Sequence, residues 1–135
     1  MTGGGVDIIW PDHYPDQCPP ADAARAVGLY FRLVDAAPPT GEDTLSHVEL
    51  KRAGARFKNK DFGDQECMAS GFSVFDEQLA AERTREAVGP LRKKLIAKVD
   101  VSGSGVLKQT GGNQNHHTWW RPAADNDWGN CEVVA

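Results

Sequence analysis

The chain reads as a small single α+β domain, a mainly antiparallel sheet of about five strands with one or two helices. Three observations carry that expectation. Val27–Asp35 and Leu95–Val101 alternate side-chain character with the period of two that a strand imposes. The glycine loop Ser102-Gly-Ser-Gly105 then separates Leu95–Val101 from Val106–Thr110, as the turn of a hairpin would. Between these runs Asp76 precedes a helix-forming stretch, Glu77 to about Val88, that Gly89-Pro90 terminates. A length of 135 residues leaves room for one good core and not for two.

Taken in order, residues 1–26 form an irregular Pro-rich arm, and 27–135 form the domain. Val6–Trp10 is a short apolar run suited to an edge strand or an anchor. Pro11, Pro15, Pro19 and Pro20 then prevent regular pairing. Asp12, His13, Asp16 and Cys18 are metal-ligand types, but no C-x-x-C or H-x-x-x-H spacing organises them, and no metal is expected. The three cysteines, Cys18, Cys67 and Cys131, are an odd number at no repeating spacing. A disulfide framework is not expected, and Cys67 reads as a small buried hydrophobe.

In the first strand Val27, Leu29, Phe31 and Leu33 share one face, while Tyr30 and Arg32 share the other. An arginine in such a strand needs a carboxylate, a ligand anion or solvent. Thr40 stands before Asp43 in a loose capping-box pattern. Lys51–Lys60 is the one basic cluster, a solvated loop or a contact for phosphate or an acidic partner. Cys67–Phe75 reads as a second strand, with Met68, Phe72 and Val74 toward the core and Ser70 and Ser73 on opposite faces. Cys131–Ala135 is short enough for one last strand.

Several functions are disfavoured. A net charge of −4 argues against a dominant nucleic-acid role. No G-x-G-x-x-G or P-loop is present, and neither Ser70 nor Ser73 lies in G-x-S-x-G. No apolar run approaches ~20 residues, so no membrane span is expected. Met1-Thr-Gly-Gly-Gly5 has no signal-peptide character, and the expected setting is cytoplasmic.

Chemistry concentrates in Asn113–Pro122, which holds two of the four histidines and two of the four tryptophans. In an extended chain His116, Thr118 and Trp120 point one way and His117, Trp119 and Arg121 the other. Imidazole serves as acid or base near neutral pH. Indole stacks on a base or nicotinamide ring, and Arg121 suits a phosphate. The same tryptophans would equally plug a core, with the histidines bonded to loop carbonyls. Adjacent histidines in a strand cannot both reach one metal.

The order of pieces resembles ADP-ribosyltransferase-like domains. Leu29-Tyr-Phe-Arg-Leu-Val34 matches the first strand of that superfamily, whose arginine or histidine holds the NAD phosphates. Ala69-Ser-Gly-Phe-Ser-Val-Phe-Asp76, followed by the 77–88 helix, resembles its hydroxyl-bearing strand. No E-x-E or Q-x-E is present, so Glu132, His116 or His117 would take the place of the late glutamate. The resemblance implies a small nucleotide-binding enzyme acting on NAD or a related ribose-phosphate ligand. Tyr30, Arg32, Ser73, Trp119, Trp120 and Arg121 would hold the ligand, and His116, His117 or Glu132 would act on it. A different class remains open: a non-catalytic module that binds a protein partner, for example in a bacterial defence or toxin–antitoxin system. Exposed Trp119, Trp120 and Trp128 would then be its anchors.

Overall fold

The computed structural model describes residues 8–36, 39, 41–125 and 131–135. The start of the Val6 run, Thr40 and Trp128 lie outside them. The protein is α+β, with an antiparallel sheet of seven strands among the described residues where about five were expected.

Two long runs of chain set the architecture. β1 (Ala24–Arg25) and β2 (Leu29–Val34) form one run bent at Gly28, whose φ of +104° suits a residue without a Cβ. β4 (Leu95–Asp100) and β5 (Val106–Gln109) form the other. β2 pairs β4 from Leu29–Asp100 to Val34–Leu95, and β1 pairs β5 at Arg25–Val106 and Ala24–Leu107. Between Leu29 and Arg25 four steps match six from Asp100 to Val106, so the glycine loop bulges from a continuing run. The hairpin expected there does not form, because β5 neighbours β1 and β6 while β4 neighbours β2 and β7. The 24–28 backbone takes the bonds a reversal would have used. Gly103 N–H donates to the Ala26 carbonyl at 3.3 Å, and Ala26 N–H donates to the Gly105 carbonyl at 3.0 Å.

β6 (His116–Trp120) pairs the far edge of β5, β3 (Phe72–Phe75) pairs β6, and β3 returns to β2. The strand order β1-β5-β6-β3-β2-β4-β7 puts β1 and β2 four places apart, although only residues 26–28 separate them. That link spans at most roughly 14 Å, whereas four spacings of a flat sheet need roughly 19 Å. The sheet must therefore curl back on itself. Its closing seam is thin: Phe31–Phe75 is the only register pair between β2 and β3 among the described residues. β7 (Cys131–Val133) extends the sheet beyond β4.

Val34, Phe72, Val74, Val99, Leu107 and Trp119 form the main core on one face. On the other, α3 (Gln78–Ala87) seats Ala80 and Ala81 against Phe31, Leu33, Phe75 and Ile96. Asp76 does not cap this helix; its carboxylate accepts from the Asn115 amide at 2.8 Å. A 3-10 helical turn spans Gly41–Thr44, where the pattern before Asp43 led a helix to be expected, and α1 (His47–Arg52) follows it from its cap at Ser46. Ser46 Oγ accepts from Glu49 N–H, and the Glu49 carboxylate accepts from Ser46 N–H. The first half of the expected 67–75 strand is instead α2 (Glu66–Ser70).

That helix is tied down from the arm. Cys18 and Cys67 form a disulfide, against the expectation that Cys67 is merely a buried hydrophobe. The Cys67 carbonyl accepts from Trp120 Nε1 at 2.8 Å. The arm packs on its own domain: Tyr14 Oη donates to the Arg121 carbonyl at 3.2 Å, and Ala123 N–H donates to the Ile9 carbonyl at 2.9 Å. No helix among the described residues is long and apolar enough to cross a membrane.

Candidate functional site

Past the Phe31–Phe75 bridge β2 and β3 part, and a cleft of about 330 Å3 opens between them. Arg32 and Leu33 come from β2; Phe72, Ser73 and Phe75 come from β3, with Gly71 just before it. His116 of β6 reaches the cleft beside Ser73. The start of α1 supplies Ser46, His47 and Leu50, and the following loop supplies Arg56 and Phe57. Phe57 adopts a φ of +60°, an uncommon conformation for an aromatic residue, and its ring lies 4.7 Å from that of His47.

Arg32 is buried, with its guanidinium 4.8 Å from the Phe72 ring centre. Burial pulls its pKa down to about 10, against the opposing pull of Cys131 and Asp43, so it is a cation at neutral pH. Asp43 is itself held by backbone donors, accepting from Asp35 N–H at 2.8 Å and Ala36 N–H at 3.1 Å. Two further cleft cations form ion pairs, Arg56 with Glu42 at 2.7 Å and Lys94 with Asp35 at 2.7 Å. Burial, reinforced by Arg56, Arg32 and Lys94, lowers the pKa of His47, so its imidazole is neutral at pH 7.

Ser73 and His116 meet directly. Ser73 Oγ lies 3.0 Å from His116 Nε2. His116 Nδ1 lies 3.1 Å from the Thr110 carbonyl oxygen and 3.1 Å from Thr110 Oγ1. Thr110 Oγ1 in turn lies 2.8 Å from Thr118 Oγ1. The register explains the meeting: Ser73 faces Thr118 and Phe75 faces His116, so Ser73 and His116 are diagonal neighbours on one face. The Phe75 ring packs edge-on at 5.5 Å and fixes the imidazole.

The sequence candidates thus divide. Arg32, Ser73 and His116 line the cleft, Arg32 from the core face it shares with Phe72, and Ser73 and His116 from the face that carries Phe75. His117 lies on the opposite face, edge-on to Tyr30 at 5.4 Å, so Tyr30 and His117 meet each other away from it. Glu132 pairs with Lys98 at 3.4 Å, on strands at the far edge of the sheet. Trp119 and Trp120 are 1% and 0% exposed, with their ring N–H groups bonded to the Ser104 and Cys67 carbonyls. They are core residues, neither stacking platforms nor partner anchors. Arg121 is buried over the Trp119 ring and paired with Asp125 at 2.7 Å. The aromatic surface of the interaction reading is therefore missing from these two positions, and Trp128 lies outside the described residues.

The basic run is engaged internally: besides Arg56, Arg52 faces Asp12 at 3.8 Å and Lys51 donates to the Lys60 carbonyl. Among the described residues no group of three or more His, Cys, Asp or Glu converges as a metal set. Sequence reasoning missed His47 and Thr110, and placed Phe57 only within the basic cluster 51–60. A signal for His47 was present, since Ser46-His-Val-Glu49 is a capping box that places it at the first helical position. Nothing local marked Thr110 or the turn geometry of Phe57.

No protein family, no curated protein and no solved structure matches the chain.

Proposed function

We propose that the protein is a small enzyme whose cleft takes a ribose-phosphate ligand, the class that the likeness to ADP-ribosyltransferase-like domains implied. One observation carries the reading: Arg32, Ser73 and His116, from three different strands, line a single cleft. Arg32 offers a low-dielectric cation for phosphate. Phe57 and Phe72 offer aromatic surface for a base or a sugar face. Ser73 and His116 offer a hydroxyl and an imidazole for proton transfer. A volume of about 330 Å3 sits at the small end of ligand sites, which favours AMP or one half of a dinucleotide over the whole of NAD.

The cytoplasmic setting expected from sequence is in tension with Cys18–Cys67, because disulfides persist mainly in oxidising compartments. We propose the oxidising setting instead; Cys18 and Cys67 recovered as free thiols from cells after rapid alkylation would refute it.

The test is a thermal-shift titration with AMP, ADP-ribose and NAD on wild type and Arg32→Met, which removes the charge but keeps a long apolar side chain. Ligand at a hundredfold excess over Kd should stabilise wild type by roughly 2.7 kcal/mol, a rise of several degrees. Folded Arg32→Met should lose that rise. No rise at millimolar ligand, or an equal rise in Arg32→Met, would refute the assignment.

A further inference from the structure

We infer that Ser73 is a nucleophile activated by His116, and that the cleft's substrate is an ester of a small anionic alcohol. This rests on the ribose-phosphate reading for the alcohol, and on the geometry of the pair alone for the nucleophile.

The hydrogen bonds decide the proton positions. The Thr110 carbonyl oxygen, 3.1 Å from His116 Nδ1, can only accept. That bond places a proton on Nδ1 and leaves the Nε2 lone pair facing Ser73 Oγ at 3.0 Å. A base within hydrogen-bond reach of a hydroxyl, oriented by a third group on its other nitrogen, is the arrangement that activates a serine. Here the orienting group is a backbone carbonyl. It is held in place because Thr110 N–H donates to the His116 carbonyl at 3.1 Å.

Ser73 also differs from other hydroxyls near the cleft. Ser46 caps α1, Thr84 donates to the Ala80 carbonyl at 3.0 Å, and Ser70 donates to the Glu66 carbonyl at 2.8 Å. Those bonds serve local backbone. Ser73 is exposed on a rigid strand, with the imidazole beside it.

In the reaction Ser73 Oγ bonds to the acyl carbon as His116 Nε2 takes the hydroxyl proton. The bond from that carbon to the alcohol oxygen breaks, and the leaving oxygen takes the proton from His116. Water then attacks the acyl-Ser73, His116 accepting its proton and returning it to Ser73 Oγ, so that a carboxylic acid leaves. No oxidant or further reactant is needed. Arg32, lining the same cleft, favours the anionic alcohol.

A fluorophosphonate probe tests the pair without any nucleotide. Oγ attack on phosphorus expels fluoride, and the adduct is located by peptide mass spectrometry. The expected result is a single adduct on Ser73, none in Ser73→Ala, and labelling roughly 100-fold slower in His116→Gln. Failure of Ser73 to label, or an equal rate in folded His116→Gln, overturns the inference. Failure of Ser73 to label in a wild-type protein that ADP-ribose still stabilises would show that only the nucleophile assignment had failed. Labelling of Ser73 without any ribose-phosphate binding would show that only the ligand class had.

Discussion

His47 illustrates how single residues report on the cleft. Folding lowers its pKa below the ordinary 6.5, through burial first and then the neighbouring cations. Between the folded and unfolded values the unfolded chain binds more protons, so stability must rise with pH there. The contribution is fully present above about 6.5 and is lost as pH falls toward the folded value. Wild type should therefore melt at a lower temperature as pH drops from 7 to 5, and His47→Gln should show a shallower fall. An identical slope in the variant would contradict the partial cover of His47 by the cleft wall. The slope is modest because the side chain is only partly covered. At this scale Arg32 was partly legible in the sequence: alternation put it on a strand where it needed a carboxylate, a ligand anion or solvent. The Ser73–His116 contact was not, because 43 positions separate the two residues and only the β3–β6 register joins them.

Elements were legible where local chemistry and long-range pairing agreed. The 78–87 helix and the strands at 29–34 and 95–100 lie where alternation and Gly89-Pro90 put them. Ser102–Gly105 misled for a physical reason, since glycines permit a bulge as readily as a reversal. Which one forms depends on whether a partner strand continues past, and here 24–28 does. Residues 67–70 misled because the strand at 72–75 was extended back over Met68 and Ala69, which favour a helix, and the tie to Cys18 acts from the distant arm. Gly105 makes the bulge testable. Its φ is +76°, and a Cβ there would strike the Trp120 carbonyl oxygen and the Arg121 Cα. Gly105→Ala should cost about 2 kcal/mol or more in urea unfolding, from left-handed strain plus that collision. Gly112→Ala, where a Cβ meets nothing within 4 Å, should be far milder. Equal stability of the two variants would contradict the bulge.

At the scale of the molecule, closure creates the site. One run of chain pairs β5 at its start and β3 and β4 at its end, so the sheet curls and must close somewhere. Among the described residues it closes at the Phe31–Phe75 bridge, and the cleft lies where β2 and β3 part beyond it. None of this was readable from strand patterns, which give faces but not neighbours. The Cys18–Cys67 tie and the arm hold α2 against Trp120, so the wall formed by Met68, Gly71 and Phe72 is anchored from outside the sheet. The most direct measurement is an amide-resolved NMR titration with ADP-ribose. Shifts should cluster on Arg32, Phe57, Gly71, Ser73 and His116, while Tyr30, His117 and Glu132 stay still. Shifts centred on the Tyr30–His117 face, or no saturable shifts at all, would contradict the assignment of the seam cleft as the ligand site.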